Sequence, residues 1–214
     1  MIKVQQMNRM ISAMVMLILS ATISGQERPI VKLDKLLSNI DTITAEINQL
    51  IVESDGGILE ESQIIMHIKR PEGFYWETVT PFPELLVTNG KRLWNYQPDL
   101  EQVVIEDWNP DQSALAAQLL YGKTENLEED YYIVAIDAEQ SQTFELKPKS
   151  PDNLYELITI SFINSSLELI YIENSSGERT AWQFTSSDIN PPLGEDLFEF
   201  IPPDGIEIIY NSID

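Results

Sequence analysis

Few residues in this chain have the types and spacing that enzyme chemistry requires. The 214 residues include one histidine, His67, and no cysteine, so a Ser-His-Asp triad or a histidine-rich metal site has one candidate and no supporting motif. The adjacent carboxylates at 60–61 and 128–129 could act as the catalytic pair of a glycosidase, but in so acidic a chain such pairs are more typical of a solvated surface. No glycine-rich phosphate loop occurs. We therefore predict that the protein is not an enzyme and needs no metal or other cofactor.

Arg70 is the side chain best suited to a specific polar role. It ends an alternating run and precedes Pro71, which cannot donate to a strand ladder. A guanidinium presents five donors in a planar fork, so it can bind several backbone carbonyls where a lysine is only a point donor. The simpler alternative is an ordinary surface arginine whose stem covers apolar surface.

Strands rich in aromatic residues follow Arg70. Side chains on a strand alternate, so Phe74 and Trp76 share one face while Tyr75 points to the other. Asn89-Gly90 separates two apolar runs, and both residues tolerate the positive φ of a type I′ turn. This pair therefore predicts a β-hairpin.

The remaining chain repeats this pattern of short alternating runs and polar turns. Strands are predicted over 43–53, 58–69, 102–107, 131–137, 142–147, 154–164, 167–173, 178–187, 198–201 and 206–210. Helices are predicted over 31–40, 111–121 (with Asp111 as N-cap and Gly122 as terminator) and 126–130. These helices are too few to build the core, so the strand series indicates an antiparallel barrel or sandwich.

The N-terminus has the three-part layout of a secretory signal peptide. Lys3 and Arg9 precede an apolar run over 10–23, which the small residues Ser24-Gly25 follow. The run is shorter than the roughly 20 residues that span a bilayer. We expect a signal peptide over 1–25 and a single domain over 26–214; an uncleaved anchor is the alternative. Without cysteine the chain has no site for its own lipid attachment, so we expect it to be soluble.

The predicted mature chain is strongly acidic. It carries 11 basic against 35 acidic side chains, a net charge of −24. Such a charge opposes binding to nucleic acid and to anionic membranes, favours a soluble monomer, and suits a basic docking partner. An acidic surface adapted to salt is an equally good explanation.

The aromatic stretch resembles the LolA family, periplasmic carriers that take lipoproteins from the inner to the outer membrane. The matching segments are Lys69-Arg70-Pro71, Phe74, Trp76, Val87-Thr88-Asn89-Gly90, Leu93-Trp94-Asn95-Tyr96 and Leu100-Glu101-Gln102. Weaker matches at 146–148 and 197–206 extend the resemblance over nearly the whole mature chain. Glu72-Gly73 and the lid segment over 113–120 depart from the best-known members.

The resemblance implies a mainly β fold with an α lid: an incomplete antiparallel barrel, or half-barrel, covered by two or three short helices. It implies that Arg70 binds lid carbonyls and that Phe74 lies at the cavity mouth. The lid helix would present Leu115, Leu119 and Leu120. Candidate cavity-lining residues are Ile64, Met66, Ile68, Phe74, Trp76, Trp94, Phe162 and Trp182. A filled barrel core is the alternative for these side chains.

The function that the resemblance implies is the carriage of acylated lipoproteins. One sixteen-carbon chain represents about 12 kcal/mol of hydrophobic transfer, so it needs a protected apolar site to cross water. The implied partners are an inner-membrane ABC-type lipoprotein-releasing complex and an outer-membrane lipoprotein acceptor. Two alternatives stay open: a half-barrel that carries or senses another lipid or glycolipid, and an envelope hydrolase that uses carboxylates.

Overall fold

The structure is a computed structural model that describes residues 27–109, 115–124 and 126–211, without the side chains of 115 and 116. The predicted signal peptide and the predicted N-cap Asp111 lie outside the described residues. None of the described helices is long and apolar enough to cross a membrane.

The described chain is dominated by twelve strands in one sheet. They are β1 (Thr42–Val52), β2 (Ile58–Lys69), β3 (Gly73–Thr80), β4 (Glu84–Asn89), β5 (Arg92–Gln97), β6 (Gln102–Asp107), β7 (Tyr131–Asp137), β8 (Ser141–Pro148), β9 (Tyr155–Ile163), β10 (Ser166–Asn174), β11 (Arg179–Ile189) and β12 (Glu207–Asn211). Three helices accompany them: α1 (Pro29–Ser38), α2 (Leu115–Leu120) and α3 (Leu127–Asp130).

The sheet is open. Its strand order is β12-β6-β5-β4-β3-β2-β1-β11-β10-β9-β8-β7, so β12 and β7 are edges that do not pair with each other. Neighbours run antiparallel except β12, which pairs with β6 in parallel. The predicted half-barrel with short helices is therefore confirmed.

The hairpin at Asn89-Gly90 forms as predicted, although its turn is not type I′. Gly90 has φ +83°, but Asn89 is not among the residues with positive φ, and a type I′ turn needs two. Instead the Asn89 side-chain oxygen accepts hydrogen bonds from the backbone N–H groups of Lys91 and Arg92, at 3.0 and 3.1 Å. Asparagine thus supports this turn through its side chain.

Helix α1 packs its apolar stripe into the main core. Pro29 occupies its first turn, where a missing N–H costs nothing. Ile30, Leu33 and Leu37 follow helical spacing and are buried. They join a cluster that runs along the concave face from β1 and β2 to β8–β11.

The C-terminal segment crosses the opposite, convex face. The predicted strand over 198–201 is wrong: Glu195–Phe198 is a 3₁₀ helix. This turn buries the Phe198 ring against Gly73, where a Cβ atom would lie only 3.0 Å from the ring. Phe200 and Ile206 then pack against a second apolar cluster on this face, formed by Val87, Trp94, Val103 and Ile105.

Candidate functional site

An apolar cavity of about 250 Å³ lies between the concave face of the sheet and α2. Its lining residues are Phe74, Trp76, Leu86, Leu93, Trp108, Ala117, Leu120, Ile170, Trp182 and Phe184. The sheet contributes β3–β5 from one side and β10–β11 from the other, and β2 and β1 lie between these groups in the strand order. The sheet must therefore curl to bring both groups around one space.

Strand register explains why these side chains meet. Trp76 is the direct cross-strand partner of Leu86, and Ile170 is the partner of Trp182. Residues opposite each other in an antiparallel pair share a face. Phe74 lies two residues before Trp76 and so joins the same face. Helix α2 closes the space with Ala117 and Leu120.

Some of the predicted lining residues surround this cavity and others lie elsewhere. Phe74, Trp76, Trp182 and the lid residue Leu120 line it. Apart from Trp94, the others with described side chains belong to the main buried cluster, each at 2% exposure or less: Ile64, Met66, Ile68, Phe162 and the lid residue Leu119. The side chain of Leu115 lies outside the described residues.

Trp94 lies on the convex face, not at the cavity. It belongs to the second cluster with Val87 and Ile105. Its neighbour Leu93 lines the cavity, and adjacent strand residues point to opposite faces. Leu93, one residue earlier on β5, therefore lines the cavity in place of the predicted Trp94.

Sequence reasoning missed six lining residues. They are Leu86, Leu93, Trp108, Ala117, Ile170 and Phe184. The Pro81-Phe82-Pro83 link between β3 and β4 carries the signal for Leu86, because counting outward from this link pairs Leu86 with Trp76. Ile170 and Phe184 have no comparable local signal, since their strands join the site only through the curl of the sheet.

Arg70 connects α1 and α2 to the end of β2. Its Nη1 donates to the Leu37 carbonyl of α1 at 2.7 Å. Its Nη2 and Nε donate to the Leu120 carbonyl of α2 at 2.8 and 3.2 Å. Burial lowers the pKa of Arg70 from its usual value, and the carboxylates of Asp41 and Asp34 oppose this shift. We call these three hydrogen bonds the Arg70 clasp.

The C-terminal end of α2 leaves the Leu120 carbonyl available to Arg70. Gly122 has φ +77°, and the N–H groups of Gly122 and Lys123 donate to the Leu119 and Gln118 carbonyls. This is a Schellman motif. It uses two of the terminal carbonyls and leaves that of Leu120, which Arg70 takes. Nearby, the Thr124 hydroxyl donates to Asp34 of α1 at 2.6 Å, which links α1 to the segment that follows α2.

Tyr121 adds an aromatic contact beside the cavity. Its ring centroid lies 6.1 Å from that of Phe74 and 6.4 Å from that of Trp108. Its hydroxyl is buried and has no hydrogen-bond partner within the described parts of the chain. Burial raises the pKa of Tyr121 well above its usual value, so the phenol stays neutral and can donate.

The candidate catalytic groups do not converge. His67 bonds Thr44 at 3.0 Å, and its ring lies 5.2 Å from that of Tyr75. Glu60 and Glu61 are consecutive on β2, so their side chains point to opposite faces. Glu128 pairs with Arg28 at the surface. In the described ranges, no three His, Asp or Glu side chains form a group that could hold a metal ion.

Comparison with known proteins identifies relatives over most of the chain. Residues 38–201 match the family model described as "Outer membrane lipoprotein carrier protein LolA". An outer-membrane lipoprotein carrier protein of Hahella chejuensis is 34% identical over 182 residues, covering 84% of this chain and 87% of the relative. Its counterpart in Chromohalobacter salexigens is 33% identical over 193 residues, covering 90% and 92%. A solved LolA superfamily structure from Nitrosomonas europaea is 14% identical with a TM-score of 0.45, covering 80% and 96%.

Proposed function

Because the chain belongs to the LolA family of outer-membrane lipoprotein carrier proteins, we propose that it works in the periplasm between two membrane partners. It takes acylated lipoproteins from an inner-membrane ABC-type lipoprotein-releasing complex and delivers them to an outer-membrane acceptor. It does so as a monomer, residues 26–214, after loss of the signal peptide over 1–25. The family consists of binding and transport proteins, in agreement with the prediction of a protein that is not an enzyme.

The apolar cavity under α2 is the observation that carries this proposal. Its lining consists of aliphatic and aromatic side chains, which suits acyl chains rather than a polar substrate. At about 250 Å³ it is smaller than the roughly 300–1,000 Å³ of ordinary ligand pockets. Several acyl chains of one lipoprotein therefore require the cavity to widen, and α2 is the element whose movement would widen it.

The Arg70 clasp gives this movement a defined closed state. Arg70 holds the carbonyls of Leu37 and Leu120 while the cavity is small. Displacement of α2 by cargo breaks the bonds to Leu120 and leaves the guanidinium to water or to the cargo. Binding then has to exceed the free energy of those bonds, which limits affinity and favours release to the next partner.

Native mass spectrometry of the chain purified from the periplasm of expressing cells tests the function. We expect a fraction of the wild-type protein to carry a lipoprotein or its acylated N-terminal fragment. Leu86→Glu places a carboxylate in the cavity wall, and the bound fraction should disappear because a buried charge opposes acyl contact. Val134→Glu is the matched control: Val134 is exposed on β7, and its bound fraction should equal wild type.

The same spectra can contradict the proposal. Wild type with no acylated protein, or with a glycolipid and no lipoprotein, would exclude lipoprotein carriage as the function of this cavity. Equal loss of cargo in both variants would show that added charge, and not its place in the cavity, prevents binding.

A further inference from the structure

A chain of side-chain hydrogen bonds holds Trp182 in the wall of the cavity. The indole Nε1 of Trp182 donates to the side-chain oxygen of Gln49 at 2.6 Å. The amide nitrogen of Gln49 donates in turn to the carboxylate of Glu60 at 3.3 Å, and the Ser62 hydroxyl donates to the same carboxylate oxygen. We call these three hydrogen bonds the Trp182 anchor.

Strand register places the anchor on the concave face of the sheet. Gln49 of β1 is the direct cross-strand partner of Trp182 on β11 and of Ser62 on β2. It follows Ile47 by two residues, and Ile47 is buried in the main cluster, so strand alternation points both side chains to the same side of the sheet. The anchor therefore crosses three adjacent strands directly beside the apolar core.

Trp182 lies at the end of the cavity away from the Arg70 clasp. The C-terminal residue of β11, Ile189, pairs with Ile43 near the start of β1, next to the end of β2 that precedes Arg70. Going away from that end, β11 contributes Phe184 and then Trp182 to the lining, whereas its residues 179–181 do not line the cavity. The indole of Trp182 is therefore the last part of the cavity wall on this strand.

The anchor also marks the point where the apolar part of the concave face ends. On β2 the buried Ile64 is followed, two and four residues towards the N-terminus, by Ser62 and Glu60. Turning the indole of Trp182 out of the wall would break its bond to Gln49 and leave its N–H without this partner. An unpaired N–H beside apolar side chains is costly, so the anchor opposes rotation of the ring.

The two boundaries of the cavity differ in how they can move. One is α2, a helix of six residues that the Arg70 clasp holds. The other is the Trp182 ring, which is bonded to a neighbouring strand of the twelve-stranded sheet. Opening of α2 leaves the Trp182 anchor intact, because all four anchor side chains belong to strands. An acyl chain that enters under α2 therefore meets an end wall that stays in place.

Resting on the proposed function, we propose that Gln49 and Glu60 are positioning residues that fix Trp182 as the end wall of the acyl site. This wall limits the length of chain that the carrier binds with increasing affinity. Each buried methylene strengthens binding about fourfold. Affinity therefore rises with chain length until the chain reaches the indole, and it levels off beyond that length.

The test measures affinity against chain length for wild type and Gln49→Leu, which removes the acceptor for the indole and keeps a side chain of similar size. The probes are peptides with one saturated N-terminal acyl chain of about eight to eighteen carbons, and binding is followed by displacement of a fluorescent fatty acid. We expect the wild-type affinity to level off within the series. In Gln49→Leu it should continue to rise, about fourfold per methylene, past the wild-type limit.

A second readout shows directly whether Gln49 holds the ring. The indole N–H signal of Trp182 is identified in the nitrogen-15 NMR spectrum by its loss in Trp182→Phe. In the empty protein, we expect this N–H to exchange with solvent severalfold faster in Gln49→Leu than in wild type. Trp182→Phe, with a smaller ring and no N–H, should extend the chain-length limit in the same direction and serves as an independent second variant.

Gln63→Leu is the matched control. Gln63 is adjacent to Ser62 on β2 but is exposed, and alternation points it to the convex face. The same change of side chain there should leave the chain-length profile and the Trp182 indole exchange at wild type.

Several outcomes would overturn the end wall and leave lipoprotein carriage standing. They are a wild-type affinity that rises to the longest chain, unchanged indole exchange in Gln49→Leu, and a Gln49→Leu profile that levels off at the wild-type length. Equal weakening at every chain length in Gln49→Leu and Trp182→Phe would assign the anchor to packing alone. Failure of wild type to bind any acyl peptide would instead overturn the proposed function, and the end wall with it.

Discussion

At the scale of single residues, Gly122 has two separate reasons to be glycine. Its φ is +77°, and an added Cβ would lie 2.7 Å from Nη1 of Arg70. We expect Gly122→Ala to lower the free energy of unfolding by about 1–3 kcal/mol from backbone strain, plus a further loss from displacement of the Arg70 clasp. Urea denaturation measures the total.

Gly56→Ala is the matched control for this prediction. Gly56 has φ +93°, but nothing lies within 4 Å of its Cβ position, so the control carries the backbone strain without the collision. The difference between the two variants isolates the contact with Arg70. Equal losses of unfolding free energy in the two variants would mean that the guanidinium moves aside without cost and that the Arg70 clasp contributes little to stability.

His67 makes the stability of the convex face depend on pH. Burial lowers its pKa below the ordinary 6.5, and Glu77, hydrogen-bonded by Tyr75, partly opposes this shift. The folded protein therefore binds the proton less readily than the unfolded chain. Its contribution to stability is full above about pH 6.5 and is lost as the pH falls through that value towards the lowered pKa.

The prediction from His67 concerns the slope of stability with pH. We expect the melting temperature of wild type to fall more between pH 7 and pH 5 than that of His67→Gln, which cannot titrate. Carboxylates contribute equally to both curves, so their effect cancels in the difference. Parallel curves over this range would show that His67 is protonated as easily in the folded state as in the unfolded chain.

At the scale of elements, the lid depends on one side chain from the sheet. Arg70 donates to a carbonyl in the last turn of each of α1 and α2, whereas α2 has only six residues, too few to be stable alone. We expect Arg70→Leu to accelerate hydrogen exchange at the amides of 117–123 severalfold or more, with little change at the β1 and β2 amides, because the lid then opens without unfolding the sheet.

Two variants control this measurement. Arg92→Leu removes an exposed arginine at the start of β5 and should leave exchange in α2 unchanged. Arg70→Lys keeps the charge but replaces the planar guanidinium with a single ammonium that cannot bind both carbonyls in the same way. Hydrogen exchange at the α2 amides of this variant should therefore be intermediate. Wild-type protection of α2 in Arg70→Leu would contradict the clasp.

The elements also show how far the sequence specifies this fold. Alternation and turn residues locate β1, β2 and the β4–β5 hairpin, because these signals are local. These local signals do not predict the 3₁₀ helix over Glu195–Phe198. Apolar residues alternate there as in a strand, but Phe198 packs against Gly73, on a strand more than a hundred residues away. The parallel pairing of β12 with β6 is equally non-local.

The cavity is less predictable than the strands for a related reason. The segment Leu93-Trp94-Asn95-Tyr96 has apolar residues on both faces, so its sequence does not say which face is concave. Only the convex cover by Phe200 and Ile206 decides that Trp94 is core and Leu93 is cavity wall. Arg70 is predictable because the Lys69-Arg70-Pro71 segment resembles the family, and that resemblance implies an arginine that binds helix carbonyls.

At the scale of the whole molecule, the main core stabilises the fold and the cavity beside it is the candidate binding site. The main cluster joins α1 to β1, β2 and β8–β11, and its members are almost fully buried. The cavity adjoins it, and several of its lining residues are only half-buried. A carrier of this design can open α2 and admit cargo while the larger cluster keeps the sheet folded.

Net charge is a property of the whole molecule that opposes this fold. The full chain has a net charge of −22, and the described residues contain four ion pairs, all with at least one substantially exposed partner. Exposed pairs contribute little, whereas an excess of one sign destabilises the compact state by self-repulsion. Repulsion among the surplus carboxylates should therefore outweigh attraction within the pairs.

Salt should then stabilise the protein at neutral pH. Raising NaCl from about 0.01 to 0.5 M shortens the screening length from roughly 30 Å to under 10 Å, and we expect the melting temperature to rise by several degrees, at roughly 2–4 °C per kcal/mol for a chain of this length. Calorimetry at pH 7 measures the rise, and the same series near the isoelectric point, about pH 4.2, is the control, where the effect should vanish. A melting temperature that falls with salt at pH 7 would contradict this prediction. It would mean that attraction within the ion pairs stabilises the fold more than repulsion among the surplus carboxylates destabilises it.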